Sequence, residues 1–472
     1  MKDRPVLLLL ASHWLSMLGA ALVTLAGFSW LFVLPLNIRG GGVNNPYIGL
    51  LVFIAIPIVF LAGLVLIPIG IALARRKVVE DLGVVENRRA AWRRAGVFFG
   101  VMTLANVVIA SQLSYRAVEH MDTVQFCGQT CHVMKPEFTA HAAMPPHQAV
   151  ACAECHIAPG ATGWLKAKMN GTSQLMAVIF NNYPRPIESA MENNKLVSSA
   201  ETCEQCHKRD IPIGPRLRVI PSYKDDETNT RTVTVLLMHC GGGILGGIHG
   251  AHLGPGVRIR YAASDKKRQT IPWVEYKNTQ TGASRTYLAT GSTADAVRSL
   301  PAFEMQCADC HNRAAHAFEL PGRAVNQAMA AGRIAAGLPF VKKEGVELLK
   351  ASYSSSAEAT EKIPGALNAF YLQRYPDVAA RQGAEIRAAG VALAAIYQGN
   401  VFPDLKVTWG TYPNNLGHTD DPGCFRCHDE AHLTADKKTI SQDCSFCHQP
   451  VAVDEASPDI LKTLEINPTQ KQ

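Results

Sequence analysis

Twelve of the 13 cysteines fall in six close pairs, and a histidine directly follows every pair. The motifs are Cys127-Gly-Gln-Thr-Cys131-His132, Cys152-Ala-Glu-Cys155-His156, Cys203-Glu-Gln-Cys206-His207, Cys307-Ala-Asp-Cys310-His311, Cys424-Phe-Arg-Cys427-His428 and Cys444-Ser-Phe-Cys447-His448. A disulfide framework has no use for a histidine at that place, so spacing outweighs count. C-x-x-C-H is the attachment signature of c-type haem. Two thiols add to the two vinyl groups of one porphyrin, and the next residue reaches the iron from below. Five motifs have that spacing; the first carries one extra residue and is a C-x3-C-H variant. Zinc ribbons also use C-x-x-C pairs, but a histidine after all six would then be coincidence. A thioredoxin-like dithiol fails on the same ground. The sequence therefore predicts six covalently attached haem c groups. Porphyrins supply apolar interior and act as staples, so such a chain need not build a large aliphatic core.

Haem iron takes a second axial ligand. Besides the motif histidines, the chain beyond its apolar runs holds His120, His141, His147, His239, His249, His252, His316, His418 and His432. That supply serves several bis-histidine haems, which are saturated and shuttle electrons rather than bind substrate. For any single one the plain alternative is a surface histidine. His249 and His252 are candidates for the third haem, at His207, and His418 and His432 for the last two, in either assignment. Met134, two residues after His132, is either a thioether ligand or a gap-filling core residue. Cys240, the unpaired cysteine, reads as a free or buried thiol. A singly tethered seventh haem there is the lesser reading, and its glycine-rich surroundings lack a Walker lysine.

Three apolar runs precede the motifs: Pro5 to Leu36, Ile48 to Ala74 and Ala95 to Leu113. Each is long enough to cross the hydrocarbon core, which takes about 20 residues. Only 18% of residues are charged and 47% are apolar, against roughly 25% charged in soluble domains. Arg75, Arg76, Lys77, Arg88, Arg89, Arg93 and Arg94 lie between the second and third runs, and only Arg39 between the first and second. The positive-inside rule puts that basic stretch in the cytoplasm, along with Lys2 and Arg4, and everything after Leu113 outside. The net charge of +7 is thus concentrated in one short stretch and implies no nucleic-acid partner. Trp30, Tyr47, Trp92 and Tyr115 sit near span ends as interfacial aromatics. The first run exceeds a signal-peptide core and is read as a retained anchor. His13 within it is read as a packed histidine, with a quinone or haem role as the minority reading.

The expected fold is a membrane-anchored multihaem cytochrome, with three transmembrane helices and a mostly α, loop-rich periplasmic haem domain carrying a small β-rich insertion. Residues 1–94 are two membrane helices and a basic cytoplasmic loop. Residues 95–210 hold the third helix and haems 1–3. Alternation in RTVTVLLM, GVRIRYAAS, TIPWVEYKN and SRTYLAT makes 211–300 the β-rich insertion. Residues 301–417 carry haem 4 and a helical segment, and 418–472 carry haems 5 and 6 and a tail.

The stretch from Ala95 to about Lys208 resembles the NapC/NirT membrane-anchored cytochromes c, which include the NrfH-type quinol dehydrogenases. The residues that carry the likeness are FCGQTCHVM, ACAECHIAPGATGWLKAKMNGTSQLMAVIFNNYPRPIE and ETCEQCHKRD. Later stretches, RTVTVLLMHCGGG, KRQTIPWVEY, DCHNRAAHAFELP and YPNNLGHTDDPGCFRCHDEAH, resemble longer inner-membrane members linked to respiration on extracellular or metal acceptors. The resemblance implies Met134 as a ligand of the first haem, in place of His132. It also implies His147 paired with His311, and His316 paired with His156. It puts Lys168 beside a quinol. A carboxylate expected about two turns further is missing, Leu175 standing there; Glu137 and Asp122 are the replacements considered, surface charge being their plain alternative. Three spans instead of one, the insertion, and haems 5 and 6 depart from the family's short forms.

The function implied is quinol:cytochrome c electron transfer: menaquinol or ubiquinol is oxidised, and a periplasmic cytochrome or reductase collects the electrons. The location implied is the bacterial inner membrane, multi-pass, with the haem domain periplasmic. The alternative is a relay subunit of a larger membrane complex, the extra spans binding other subunits. A terminal nitrite or hydroxylamine reductase is disfavoured because no C-x-x-C-K motif is present.

Overall fold

The computed structural model describes residues 10–11, 13–38, 55–83, 85–209 and 211–466. The expectations for Lys2, Arg4, Arg39, Tyr47, the starts of the first two apolar runs and the last six residues lie outside these. So do the side chains of Trp30, Arg75, Arg76, Lys77 and Arg88. The chain forms two compact units, Met1–His132 and Val133–Gln472.

The first unit is helical: α1 Trp14–Ile38, α2 Ile56–Gly83 and α3 Val85–Met121. Among the described residues two stretches are long and apolar enough to cross a membrane, Ile56–Ala74 and Arg89–Met121; the apolar part of α1 over Trp14–Ser29 is shorter. Small residues let α1 and α2 approach closely, as helices do in lipid, where tight packing replaces the hydrophobic drive. A Cβ at Gly19 would stand 2.7 Å from the Gly63 carbonyl oxygen, and one at Gly70 would collide with Ser16. His13 caps the start of α1, its Nδ1 accepting the Leu15 amide at 3.1 Å. Val97, Val101, Leu104, Val107 and Val108 all stand exposed along α3, an apolar surface that marks lipid or partner contact. The basic stretch 75–94 differs from the loop expected. α2 runs on to Gly83 and α3 begins at Val85, because Arg, Lys and Glu are good helix formers and extend a helix past its apolar part.

The second unit opens with α4 Lys135–Ala142, the single-turn motif helix α5 Cys152–His156, α6 Gly160–Ile179 and the motif turn α7 Cys203–Cys206. Strands β1 Arg216–Tyr223 and β2 Arg231–Met238 follow, then the short helix α8 Gly247–Leu253. After it come β3 Val257–Ala262, β4 Trp273–Asn278, β5 Ser284–Ala289, α9 Ala294–Arg298, β6 Ala302–Glu304 and the motif turn α10 Cys307–Cys310. A helical block comprises α11 Pro321–Ala330, α12 Val341–Lys350, α13 Ser356–Arg374, α14 Pro376–Arg381 and α15 Gly383–Asn400. Strands β7 His432–Leu433 and β8 His448–Glu455 and the turn α16 Asp459–Thr463 end the described chain.

The strands make two antiparallel sheets, ordered β1-β2-β8 and β6-β3-β4-β5-β7. Neither sheet is confined to 211–300: β8 and β7 come from the segment holding the last two motifs, and β6 leads into the fourth. Pairings such as Met238 with His448 and Arg260 with Glu304 fix motifs to sheet edges. The aliphatic core lies in the helical block, where Val325, Leu338, Leu349, Ile363, Leu367 and Leu393 are fully buried. Gly390 allows α15 to approach Pro364 of α13, where an added Cβ would come within 2.9 Å of the proline backbone.

Candidate metal centres

Each motif is a tight turn that sets its two thiols side by side. In the four-residue spacing a helical turn does this: the His207 amide donates to Cys203 O and the His311 amide to Cys307 O, both at 2.8 Å. The first motif takes up its extra residue in a wider π-helical turn, Phe126–Thr130, where the Cys131 amide donates to Phe126 O at 3.3 Å. One added residue is what a π turn accommodates.

Motif histidines meet non-motif histidines in twos. His156 faces His316 with ring centroids 6.3 Å apart and planes 18° from parallel. His311 faces His249 at 6.2 Å and 21°, and His448 faces His418 at 6.1 Å and 24°. His207 meets His147 at 6.3 Å and 58°, and His428 meets His252 at 5.8 Å and 59°. Two imidazoles bound to one metal from opposite sides, with bonds of about 2.0–2.1 Å, hold their centroids about 6.3 Å apart. The five pairs therefore fit bis-histidine iron.

The outer ring nitrogens fit as well. A metal-bound imidazole uses its other N–H as a donor, which fixes tautomer and orientation. His147 Nδ1 lies 3.0 Å from Ala314 O, His252 Nδ1 2.7 Å from Ile248 O and His428 Nδ1 2.6 Å from Ser441 O. His316 Nδ1 lies 2.9 Å from Glu137 Oε2, out of line for a hydrogen bond, with Arg313 Nη1 at 3.4 Å. Nδ1 of His249 and of His448 is buried without a partner. Ligation needs neutral imidazole. Burial, then the neighbouring histidine, lowers the pKa of His156 and His311. Burial also lowers His252, against the pull of its Ile248 hydrogen bond, and lowers His448 beside His418 and His239.

The motifs follow one another closely. Burial and then the charge of Cys203 raise the Cys155 thiol, joining the second motif to the third. The neighbouring Cys307 thiol lowers the Cys203 thiol, and Cys203 raises Cys307. Burial pushes Cys310 up to about 11, with Cys424 of the fifth motif adding to it. Cys447 is raised by burial and then by Cys424.

A buried polar bracket holds the fourth and fifth motifs together. Asp309, inside the fourth, binds Arg268 Nη1 at 3.1 Å and the Tyr261 hydroxyl. Arg426, inside the fifth, donates to Asp309 O at 2.8 Å and Arg268 O at 2.9 Å, and Asn415 donates to Asp309 O at 3.0 Å. Sequence reasoning missed these residues; the signal available was that Asp309 and Arg426 stand between motif cysteines.

Several expected roles change. His147 lies beside His207, not His311, because the fourth motif's histidine is met by His249 on α8. Neither His249 nor His252 lies across from His207; they meet His311 and His428. His432 pairs with no motif histidine. Both its nitrogens are committed, Nδ1 2.8 Å from Asp429 Oδ1 and Nε2 2.7 Å from Ile271 O. Glu137 is not surface charge: burial favours its neutral form, but His316, Arg313 and His156 outweigh this and hold its pKa below the usual value. Its Oε2 lies 2.9 Å from His316 Nδ1, and its Oε1 accepts from Arg313 Nη1 at 3.4 Å. Asp122 ends α3, its amide donating to Val118 O at 3.1 Å. Lys168 on α6 has its Nζ 5.7 Å from the Trp164 ring centroid, and Leu175 stands exposed a turn or two beyond. His132 and the exposed Met134 belong to different units. Cys240 is half-buried beside His239, whose amide donates to Cys447 O at 2.8 Å.

The cytochrome c-type protein ImcH of Geobacter sulfurreducens is 38% identical to this chain over 421 residues, which cover 87% of this chain and 82% of that protein. No family profile matches the chain, and no solved structure matches it.

Proposed function

The chain belongs to the family of c-type cytochromes that includes ImcH, and from that premise we propose that it carries electrons from membrane quinol through six haem c groups to a periplasmic acceptor. The observation that carries the reading is the set of five histidine pairs, each joining a motif histidine to a non-motif one at 5.8–6.3 Å. The six cysteine pairs tether the groups. His156 with His316, His207 with His147, His311 with His249, His428 with His252, and His448 with His418 hold five of them; His132 or Met134 holds the first. Haem c supplies a reversible one-electron iron couple at each place. The Nδ1 contacts orient the rings, and the Asp309–Arg268–Arg426 bracket keeps two neighbouring motifs at fixed separation.

Quinol gives up two electrons and two protons on becoming quinone. Lys168, which the NapC/NirT resemblance puts beside the quinol, would hold its oxygen through the ammonium group. Three spans in the inner membrane, with the second unit periplasmic, complete the reading; the close approach of α1 to α2 supports counting α1 with the anchor. One observation favours a second reading, a relay fed by a partner subunit: Glu137 lies against His316 and Arg313, and Leu175 leaves no carboxylate at its place. The test is to add a menaquinol analogue, without oxygen, to the purified oxidised chain and follow haem reduction. Fast reduction supports a quinol site on this chain. No reduction of fully haem-loaded protein overturns that site and leaves the relay.

A further inference from the structure

We propose that α6 lies in the membrane–water interface, its bulky apolar face set among lipid headgroups and upper acyl chains and its smaller residues turned to the protein. Leu165, Met169, Met176 and Ile179 recur at helical spacing and make one stripe along the helix, which Phe180 continues at its C-cap. All five are exposed, Met169 at 67% and Phe180 at 75%, and Trp164 beside them is exposed too. The half-buried apolar positions, Ala167, Ala177 and Val178, fall on the opposite side, and Gly163 is the one buried residue of α6 among those described. The usual order of a surface helix, apolar face to the core, is therefore reversed. A helix held so lightly is marginal in water, and an apolar strip of this kind is a surface that something covers.

The covering that fits is lipid. Between Glu154 and Glu188 the sequence has no Asp or Glu but has Lys166, Lys168 and Arg185, a balance that attracts anionic headgroups. Lys168 Nζ lies 5.7 Å from the Trp164 ring centroid. Tryptophan and lysine both anchor at headgroup depth, the lysine laying its stem along apolar surface and keeping its charge in water. Lys166, Asn170, Ser173 and Gln174 form an exposed polar side next to the stripe, so α6 suits the interface, where both sides are satisfied, rather than a crossing. From Leu165 to Ile179 the stripe runs about 21 Å at 1.5 Å per residue, longer than a porphyrin is wide, so a group tethered at Cys152 and Cys155 would leave part of it bare. The same chain holds two stretches able to cross a membrane, which bring a bilayer within reach without any further partner.

The test uses the full-length, haem-loaded protein in vesicles containing phosphatidylglycerol whose upper acyl chain carries a photoactivated diazirine, with adducts mapped by peptide mass spectrometry. Adducts are expected on Leu165, Met169, Met176 and Ile179 as well as on the spans, and not on Gln174 of the same helix. Modification of the stripe by a water-soluble diazirine instead overturns the proposal. Modification by neither reagent also overturns it, and shows that haem, a partner subunit or a second copy covers the stripe. Met169→Asp combined with Met176→Asp should cut the lipid adducts on α6 about tenfold, with span adducts and haem spectrum as in the native protein; undiminished labelling overturns the proposal. Should that variant not mature, the pattern around the native helix decides alone.

Discussion

The helical block and the segment 135–209 belong to one unit but are held together differently. In the block, Val325, Leu338, Leu349, Ile363, Leu367 and Leu393 have essentially no accessible surface. Along 135–209 the buried residues are Pro136, Ala140, His141, Gly163, Ser199 and Thr202, too little apolar area to offset the entropy of ordering that length of chain. The block has no motif, and the segment has two. Side-chain packing suffices for the first; on the function proposed, the second depends on tethered groups and on histidines brought to them from elsewhere. One chain thus shows how a multihaem protein replaces an aliphatic core and what it looks like where it does not.

The largest effect expected follows directly. Full-length chain produced without haem attachment should lose hydrogen-exchange protection along 135–209 and 418–448 and keep it across α11–α15. Equal loss in both would erase the distinction. Leu393→Ala should cost about 2–5 kcal/mol in the stability of the block, read by calorimetry, and leave the haem spectrum unchanged. His418 and His432 sharpen the contrast between ligand and structural histidine. His418→Gln should turn one low-spin haem high-spin. His432→Gln should alter no haem, yet cost about 1–3 kcal/mol by orphaning buried partners. The smallest effect is a pH dependence in the block. Burial lowers Lys342 to about 8 from its ordinary 10.5. The unfolded chain therefore holds more protons than the folded one between pH 8 and 10.5, and stability rises with pH across that window. Lys342→Met should remove that rise in melting temperature.

The motifs are legible because they are local: two thiols and a histidine within five or six residues form a tight turn whatever the fold. Strands were legible where alternation is strong, as in RTVTVLLM, which forms β2, and TIPWVEYKN, which holds β4. The histidines that face the motif histidines were not. Which histidine lies across from His311 depends on the placing of α8 after β2, a tertiary fact with no trace in the spacing of His147 from Cys152. His432 looks the same in sequence as His418; only the fold gives it Asp429 and the Ile271 carbonyl. Glu137 stands out in sequence as a carboxylate near a motif, but its burial beside Arg313 and His316, more than 170 residues away, is a tertiary fact.

The central claim is that five motif histidines share their iron with five partners from outside the motifs. Near-infrared magnetic circular dichroism of the oxidised full-length protein tests it most directly, since the charge-transfer band reports the axial ligand pair. The account predicts bis-histidine intensity equal to five haems per chain and no high-spin haem among them. Bis-histidine intensity for fewer than five, with the remainder high-spin, would contradict it.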